Sequence, residues 1–270
     1  MSVCLPARNE AATISSIVSC IHRELVEQGG LVDELIVIDD SSSDATAELA
    51  ASAGATVYEA SSVLPGRRAG PGKGEALWRS LHVSTGDVVI WCDSDIAAFD
   101  TRFITGVLGP LVTEDGIDFV KGFYERPDDG VGGGRVTELV ARPLLALFFP
   151  ELSGFIQPLS GEYGGRRSLL EQLAFATGYG VDLGLLIDVT RRCGPSAVAQ
   201  VDLGHRPHRH RTLEQLGPQA LAVMQVALDR AGVAVPHAAA LRRPGLVVQE
   251  SVFSQCPPLV SVGEYRRRSA

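Results

Sequence analysis

Apolar and polar positions along the first half of this chain alternate between two periods. Short β-branched runs, "VCLP", "ELIVID", "ATVYEA", "DVVIWC" and "IDFVKGFY", read as strands. Between them, residues 10–28, 44–53, 73–84 and 100–114 carry the spacing of amphipathic helices. Such alternation predicts an α/β fold with a mostly parallel central sheet and helices on both faces. Ligands of open sheets gather beyond the carboxyl ends of the strands. Polar clusters sit at those positions here: "PARNE" after the first strand, "DDSSSD" after the second and "DSD" after the fourth. After residue 125 the pattern changes to a Gly-rich loop, "DDGVGGGR", a helix over 136–149, the loop-like "QPLSGEYGG" and two further helical stretches. A helix from residue 212 to about 231 follows, then a Pro-interrupted tail of little periodicity. There is no internal repeat.

Composition narrows the classes. The 270 residues suffice for one large α/β domain with an appendage. A formal charge of −8 opposes nonspecific binding to nucleic acid or anionic membrane, so an anionic ligand must meet a local basic cluster. The five cysteines are odd in number and show no C-x-x-C spacing, which predicts reduced thiols and a cytoplasmic location. The most apolar run, "LVARPLLALFF", is interrupted by Arg142 and Pro143 and falls short of the about 20 residues that span a bilayer, so no membrane anchor is expected. A strand starting at Val3 leaves no room for a signal peptide.

Side chains at i and i+2 of an extended segment point the same way, so Asp93 and Asp95 can converge on one hard cation, Mg²⁺ or Mn²⁺, with positions left for a diphosphate. An isolated D-x-D is more often a solvated strand end in which Asp caps the next helix, so context decides. In "IVIDDSSSDAT", Asp39 or Asp40 can meet a base edge or ribose hydroxyl while Asp44 caps the next helix. "PGKGEALW" sets Lys73 at a helix N-terminus, suited to phosphate, without the spacing of a Walker A loop. Three glycines, Gly132 to Gly134, lead into Arg135 and Thr137; this is either an anion site or a hinge. "DLGHRPHRHR" packs three histidines and three arginines into seven residues, and the arginines suit a diphosphate better than a zinc tract.

In order, "LPARNE", "IDDSSSD", "PGKGEALW", "CDSD", "GGGRVTEL", "QPLSGEY", "GYGVDLGLLID" and "AQVDLGHRPHRHR" resemble the glucosyl-3-phosphoglycerate synthases of actinobacteria, retaining nucleotide-sugar-dependent glycosyltransferases of GT-A fold. The resemblance covers about residues 2 to 232. It implies a nucleotide-sugar-binding half at 1–125, an acceptor-binding and catalytic half at 126–232, and a tail at 233–270 available for oligomer contacts. By the same resemblance, Pro6, Ala7, Arg8, Glu10 and Asp40 hold uridine, and Lys73 meets the donor. Asp95 and His208 are the metal ligands, for Mg²⁺ with Mn²⁺ as the alternative. Asp93 and Ser94 touch ribose and diphosphate, Arg206 and Arg211 the phosphates or the hexose side, and Tyr179 with Asp182 the glucose hydroxyls. Gly134, Arg135 and Thr137 receive the acceptor's phosphate or carboxylate, with His210 at the acceptor mouth. Two positions depart from the family pattern: Asp182 stands where it carries Glu, and His210 where it carries Asn.

The expected reaction is transfer of glucose from UDP-glucose to 3-phosphoglycerate, by a homodimer. No Asp or Glu of these motifs is an obvious nucleophile, so same-face attack is favoured, with the leaving diphosphate neutralised by metal, Lys73 and arginines. The resemblance gives the Leu159 carbonyl the task of orienting the hydroxyl or steadying charge on the sugar. The alternatives are mannosyl transfer from GDP-mannose to the same acceptor, transfer to a polyprenyl phosphate, and a nucleotide-binding regulator without turnover.

Overall fold

The structure is a computed structural model that describes residues 1–67, 72–125, 134–206 and 212–265. Its strands are β1 (Ser2–Ala7), β2 (Glu34–Asp39), β3 (Thr56–Glu59), β4 (Val88–Trp91), β5 (Phe119–Glu125), β6 (Tyr163–Arg166), β7 (Phe175–Ala176), β8 (Val198–His205), β9 (Ala238–Leu241), β10 (Gln249–Val252) and β11 (Gln255–Cys256). Seven of them form the central sheet in the order β3-β2-β1-β4-β6-β5-β8. Every neighbouring pair is parallel except the two made by β6, which runs against both β4 and β5.

The continuous apolar runs of the first strands follow from burial on both sides. In β1 and β2, Val3, Leu5, Leu35 and Val37 face a core built with α1 (Ile14–Ile21), α2 (Thr46–Ser52) and α4 (Arg102–Thr113). The intervening Cys4, Ile36 and Ile38 face the opposite core, built with α3 (Lys73–Val83) and α7 (Val181–Cys193). A two-residue side-chain period between two helical layers therefore leaves no polar position within the strand. A third cluster packs α5 (Arg142–Phe148) and α8 (Leu213–Arg230) against α7. No helix among the described residues is long and apolar enough to cross a membrane.

The five strands and the helices read from the pattern are present, with two adjustments. The expected helix over 10–28 starts at Ile14 and widens to a π-helix over His22–Gln28. The one over 136–149 opens with a π-helical stretch, Thr137–Ala141, before α5. Pro143 stands just inside α5, and a wide turn before it accommodates a ring that would otherwise press on the carbonyl four residues back.

Two sheet strands escape the pattern. β8 is half exposed at the sheet edge and breaks its alternation, and β6 is "YGGR", whose glycines hide it within the loop-like "QPLSGEYGG". The glycine at 164 is required by close approach: a Cβ there would lie 2.7 Å from the carbonyl oxygen of Val89 on β4. The short α6 (Arg167–Leu170) follows β6 directly.

The tail is stitched to the body. β11 pairs with β7, the indole of Trp78 donates to the Pro257 carbonyl at 2.7 Å, and Leu259, Val262 and Tyr265 share the core of α3. β9 and β10 form a separate hairpin.

Gly164→Ala is expected to lower stability by about 1–3 kcal/mol, because a methyl there forces β6 away from β4. Gly154→Ala, where no atom lies within 4 Å of the added carbon, is expected to stay within about 0.5 kcal/mol of the parent. Denaturant unfolding of the two variants checks the pair.

Candidate active site

Parallel β1, β2 and β4 end at one edge of the sheet, so the turns that follow them meet there. Antiparallel β6 enters the sheet at the same edge, which brings its leading residues, Leu159 to Glu162, to where its neighbours end. These turns are cross-braced. The Ser94 hydroxyl donates to the Pro6 carbonyl at 2.8 Å, and the Thr13 hydroxyl to the Ser94 carbonyl at 2.6 Å. Asn9 and Ser41 adopt left-handed conformations, φ 57° and 60°, and the Asn9 side-chain oxygen accepts from the Ser43 amide at 2.8 Å. Asp44 accepts from the Thr46 amide at 3.0 Å as α2 begins, and also from the Ala11 amide at 3.2 Å. Shape is thereby held by short polar contacts instead of by regular structure.

A cleft of about 570 Å³ opens above this edge. Pro6, Ala7, Arg8 and Glu10 line it from the first turn, Asp40 from the second, and Asp93, Ser94 and Asp95 from the third. Lys73 comes from the start of α3, Asp182 from the first turn of α7 with Tyr179 just before it, and Arg206 from the end of β8. Gly134, Arg135, Thr137 and Leu159 complete the lining. Every expected site residue that the structure describes is thus on one cleft. His208, His210 and Arg211 lie outside the described residues.

The floor is a network of buried charge. The Lys73 ammonium lies 2.8 Å from Asp93 Oδ1 and 3.0 Å from Asp182 Oδ1, and donates to Asp182 Oδ2 at 3.2 Å. Burial opposes its charge, but Asp182 and Asp93 together outweigh burial and hold the ammonium above its ordinary range. The Arg206 guanidinium donates to Glu162 at 2.6 Å, to the Tyr124 hydroxyl at 2.9 Å and to Asp95 at 2.5 Å, and lies over the Tyr124 ring. Burial likewise opposes its charge and is overcome by Glu162, Tyr124, Asp93 and Asp95. Glu162 is fully buried, and burial pushes its carboxyl above the ordinary carboxylate range against the pull of Arg206. Nearer the mouth, Arg8 lies 3.6 Å from Asp40, whose carboxyl is raised by burial and lowered by that arginine.

Sequence reasoning missed Tyr124, Gly161, Glu162, Lys121 and the α8 wall of Leu216, Gln219 and Val223. Some signals were there. A lysine inside the apolar strand "FVKGFY" needs a buried partner, and "SGEY" sets a carboxylate at a strand start. Gly161 is a second close approach, since a Cβ there would fall 2.1 Å from Asp93 Oδ2. The α8 residues belong to an ordinary amphipathic helix and carry no such signal.

The donor set fits a hard divalent cation. Asp93 and Asp95 offer oxygen ligands on one turn, and their side chains keep 27 and 29% of their surface accessible beside a cleft rich in cations. Among the described residues no three such ligands converge, and the expected partner ligand His208 lies outside them.

Comparison with known proteins agrees with this geometry. Residues 2–178 match the model of "Glycosyl transferase family 2". The glucosyl-3-phosphoglycerate synthase of Mycolicibacterium smegmatis is 50% identical over 239 residues, 86% of this chain and 78% of that protein. The crystal structure of the Mycobacterium tuberculosis enzyme with Mn²⁺, uridine-diphosphate-glucose and phosphoglyceric acid is 46% identical, superimposes with a TM-score of 0.88, and is matched over 96% of this chain and 90% of that one. The same enzyme with Mg²⁺ and uridine-diphosphate superimposes with a TM-score of 0.85 at the same identity and coverage. With the family model spanning more than half of the chain, half of its aligned residues shared with a synthase and nearly all of the fold in common, the chain belongs to glycosyl transferase family 2 and, within it, to the glucosyl-3-phosphoglycerate synthases.

Proposed function

We propose that this chain transfers glucose from UDP-glucose to 3-phosphoglycerate, giving glucosyl-3-phosphoglycerate and UDP, with a divalent cation bound. The observation that carries the reading is the convergence of Lys73, Asp93, Asp95, Asp182, Arg135 and Arg206 on one cleft, in a chain whose relatives are named for this product. Uridine lies along Pro6 to Glu10 and Asp40, and the diphosphate along Asp93 to Asp95 and the cations. When bound, the metal, Mg²⁺ in preference to Mn²⁺, supplies charge neutralisation for the departing diphosphate. Asp95 is its ligand together with His208.

Each residue then has a physical task. Lys73, fixed between two carboxylates and held charged, stabilises the negative charge that develops on the leaving group, and Arg206 does so from the other side. Asp182 lines the cleft beside Tyr179 with both carboxylate oxygens within 3.2 Å of the Lys73 ammonium, and its remaining lone pairs accept from a glucose hydroxyl. Arg135, at the mouth with Gly134 and Thr137, grips the acceptor's phosphate or carboxylate as a bidentate fork. The acceptor hydroxyl attacks on the face the diphosphate leaves, so the anomeric configuration is retained, and the diphosphate oxygen takes its proton. The Leu159 carbonyl orients that hydroxyl.

The same reading has the protein work in the cytoplasm as a homodimer. Both substrates are anions that do not cross membranes unaided, and the tail carries exposed Val247 and Val252 in and beside β10. Light scattering at micromolar concentration checks the dimer.

The deciding assay follows UDP release with 3-phosphoglycerate and Mg²⁺, against chelator and against GDP-mannose. Turnover should vanish with chelator and return with Mg²⁺; a higher kcat/KM with GDP-mannose would overturn the sugar. Arg135→Ala should raise the KM for 3-phosphoglycerate by about tenfold or more with UDP affinity almost unchanged, and Arg135→Lys should recover only part of the loss. Asp182→Asn should cost about 10- to 100-fold in kcat/KM, the worth of a buried charge-assisted hydrogen bond, while Asp182→Glu keeps a good part of the activity.

A further inference from the structure

Lys121 lies in the middle of β5 with 1% of its surface exposed, below the cleft and outside its lining. Its ammonium donates to the Ser160 carbonyl at 3.0 Å and to the Asp182 carbonyl at 3.2 Å, and sits 4.1 Å from the centre of the Tyr163 ring. One buried cation therefore joins the backbone at Ser160 to the backbone at Asp182. One segment carries Leu159 and the other carries the Asp182 carboxylate.

Besides the pair of Glu162 with Arg206, the turn at 157–162 is held by contacts to β5. The Ser160 hydroxyl donates to the Gly122 carbonyl, and the Gly122 amide donates to the Glu162 carbonyl at 2.8 Å. The Gln157 side chain spans the Tyr124 backbone, accepting from its amide at 3.3 Å and donating to its carbonyl. All of these contacts hold the turn to β5. The Lys121 ammonium ties it by hydrogen bonds to α7 as well, where Leu159 adds apolar packing against the cluster of Leu183 and Leu186. A hydrophobic side chain would fill the volume and pack on Tyr163, so packing alone does not call for a lysine.

We infer that Lys121 is a positioning residue, which fixes the Leu159–Ser160 turn against the start of α7 and so sets the spacing between acceptor hydroxyl and donor sugar. The inference rests on the proposed transfer, in which Leu159 faces the acceptor and Asp182 the glucose. Burial lowers the Lys121 ammonium to about 8; Asp182, Glu162 and Asp93 favour its charge, and Lys73 opposes it. The ammonium is therefore charged through neutral pH, with three donors for its two carbonyls.

Lys121→Met keeps length and volume and removes the donors. Per UDP-binding site, kcat for glucosyl transfer is expected to fall by about 30-fold or more, with the Kd for UDP within about threefold of the parent, since misplacement by about an ångström is costly to transfer and the uridine end is held elsewhere. The fraction of UDP-glucose lost to water, measured as free UDP less glucosyl product, should rise by about fivefold or more. A purely structural lysine would lower the folded fraction and leave both ratios per folded site at the parent values, which would overturn the inference. Should Lys121→Met not fold, Ser160→Ala decides: it removes a second strut of the same turn, and a partition between transfer and hydrolysis equal to the parent's would overturn the inference, whereas a raised hydrolysis fraction supports it. Parent protein inactive with UDP-glucose and 3-phosphoglycerate would instead sink the proposed reaction, so the two failures are told apart.

Discussion

One buried ammonium, that of Lys73, ties three separate pieces of chain at the floor of the cleft. It is the first residue of α3, and it holds Asp93 from the turn after β4 and Asp182 from the first turn of α7. These elements share a hydrophobic core beneath it, but a core fixes their distance only to within the give of side chains. A cation between two carboxylates fixes it to hydrogen-bond precision. Removing one partner of such a buried pair costs about 3–5 kcal/mol, because it strands an uncompensated charge. The arrangement is therefore committed: α3, α7 and the D-x-D turn keep their relation, and the cleft above them is formed before ligand arrives.

The same floor explains why a cation and an anion are both wanted. Asp93, Asp95, Glu162 and Asp182 face Lys73, Lys121 and Arg206, so four carboxyl groups meet three cations at the floor. A hard divalent ion beside Asp93 and Asp95 corrects that excess and at the same moment makes the cleft attractive to a diphosphate. Burial keeps these interactions strong, since little water is present to screen them. Glu162 moderates the balance from below: it holds Arg206 in place, yet its own burial limits how firmly it keeps its charge.

How much of this was legible in the sequence follows from which forces left a local signature. β-branched runs between helical periods gave β1 to β5 and the edge where the site lies, and in β1, β2 and β4 burial on both faces writes itself directly into composition. "YGGR" gave nothing of β6, since its glycines answer to the carbonyl of Val89 on a neighbouring strand, a long-range demand with no periodic trace. The expected site residues inside the described segments share one cleft because the resemblance was carried by ordered motifs, each too weak alone. Glu162 and Lys121 stayed hidden for the opposite reason: a single charge in an apolar strand announces a partner without naming it. The α8 wall could not be read, as a helix face that lines a cleft has the same pattern as one that covers a core.

Asp182, one methylene shorter than the Glu that the resemblance implies at this position, is reconciled by the Lys73 pair. A longer carboxylate can reach the sugar from a more distant helix start. A shorter one must be brought forward and held, and here both of its oxygens lie within 3.2 Å of the Lys73 ammonium while its own backbone carbonyl is gripped by Lys121. Two lysines thus fix the residue from opposite ends, one through the side chain and one through the main chain. With its carboxylate anchored, the residue has little rotamer freedom left to lose when a sugar binds, and that saving offsets part of the reach given up with the methylene.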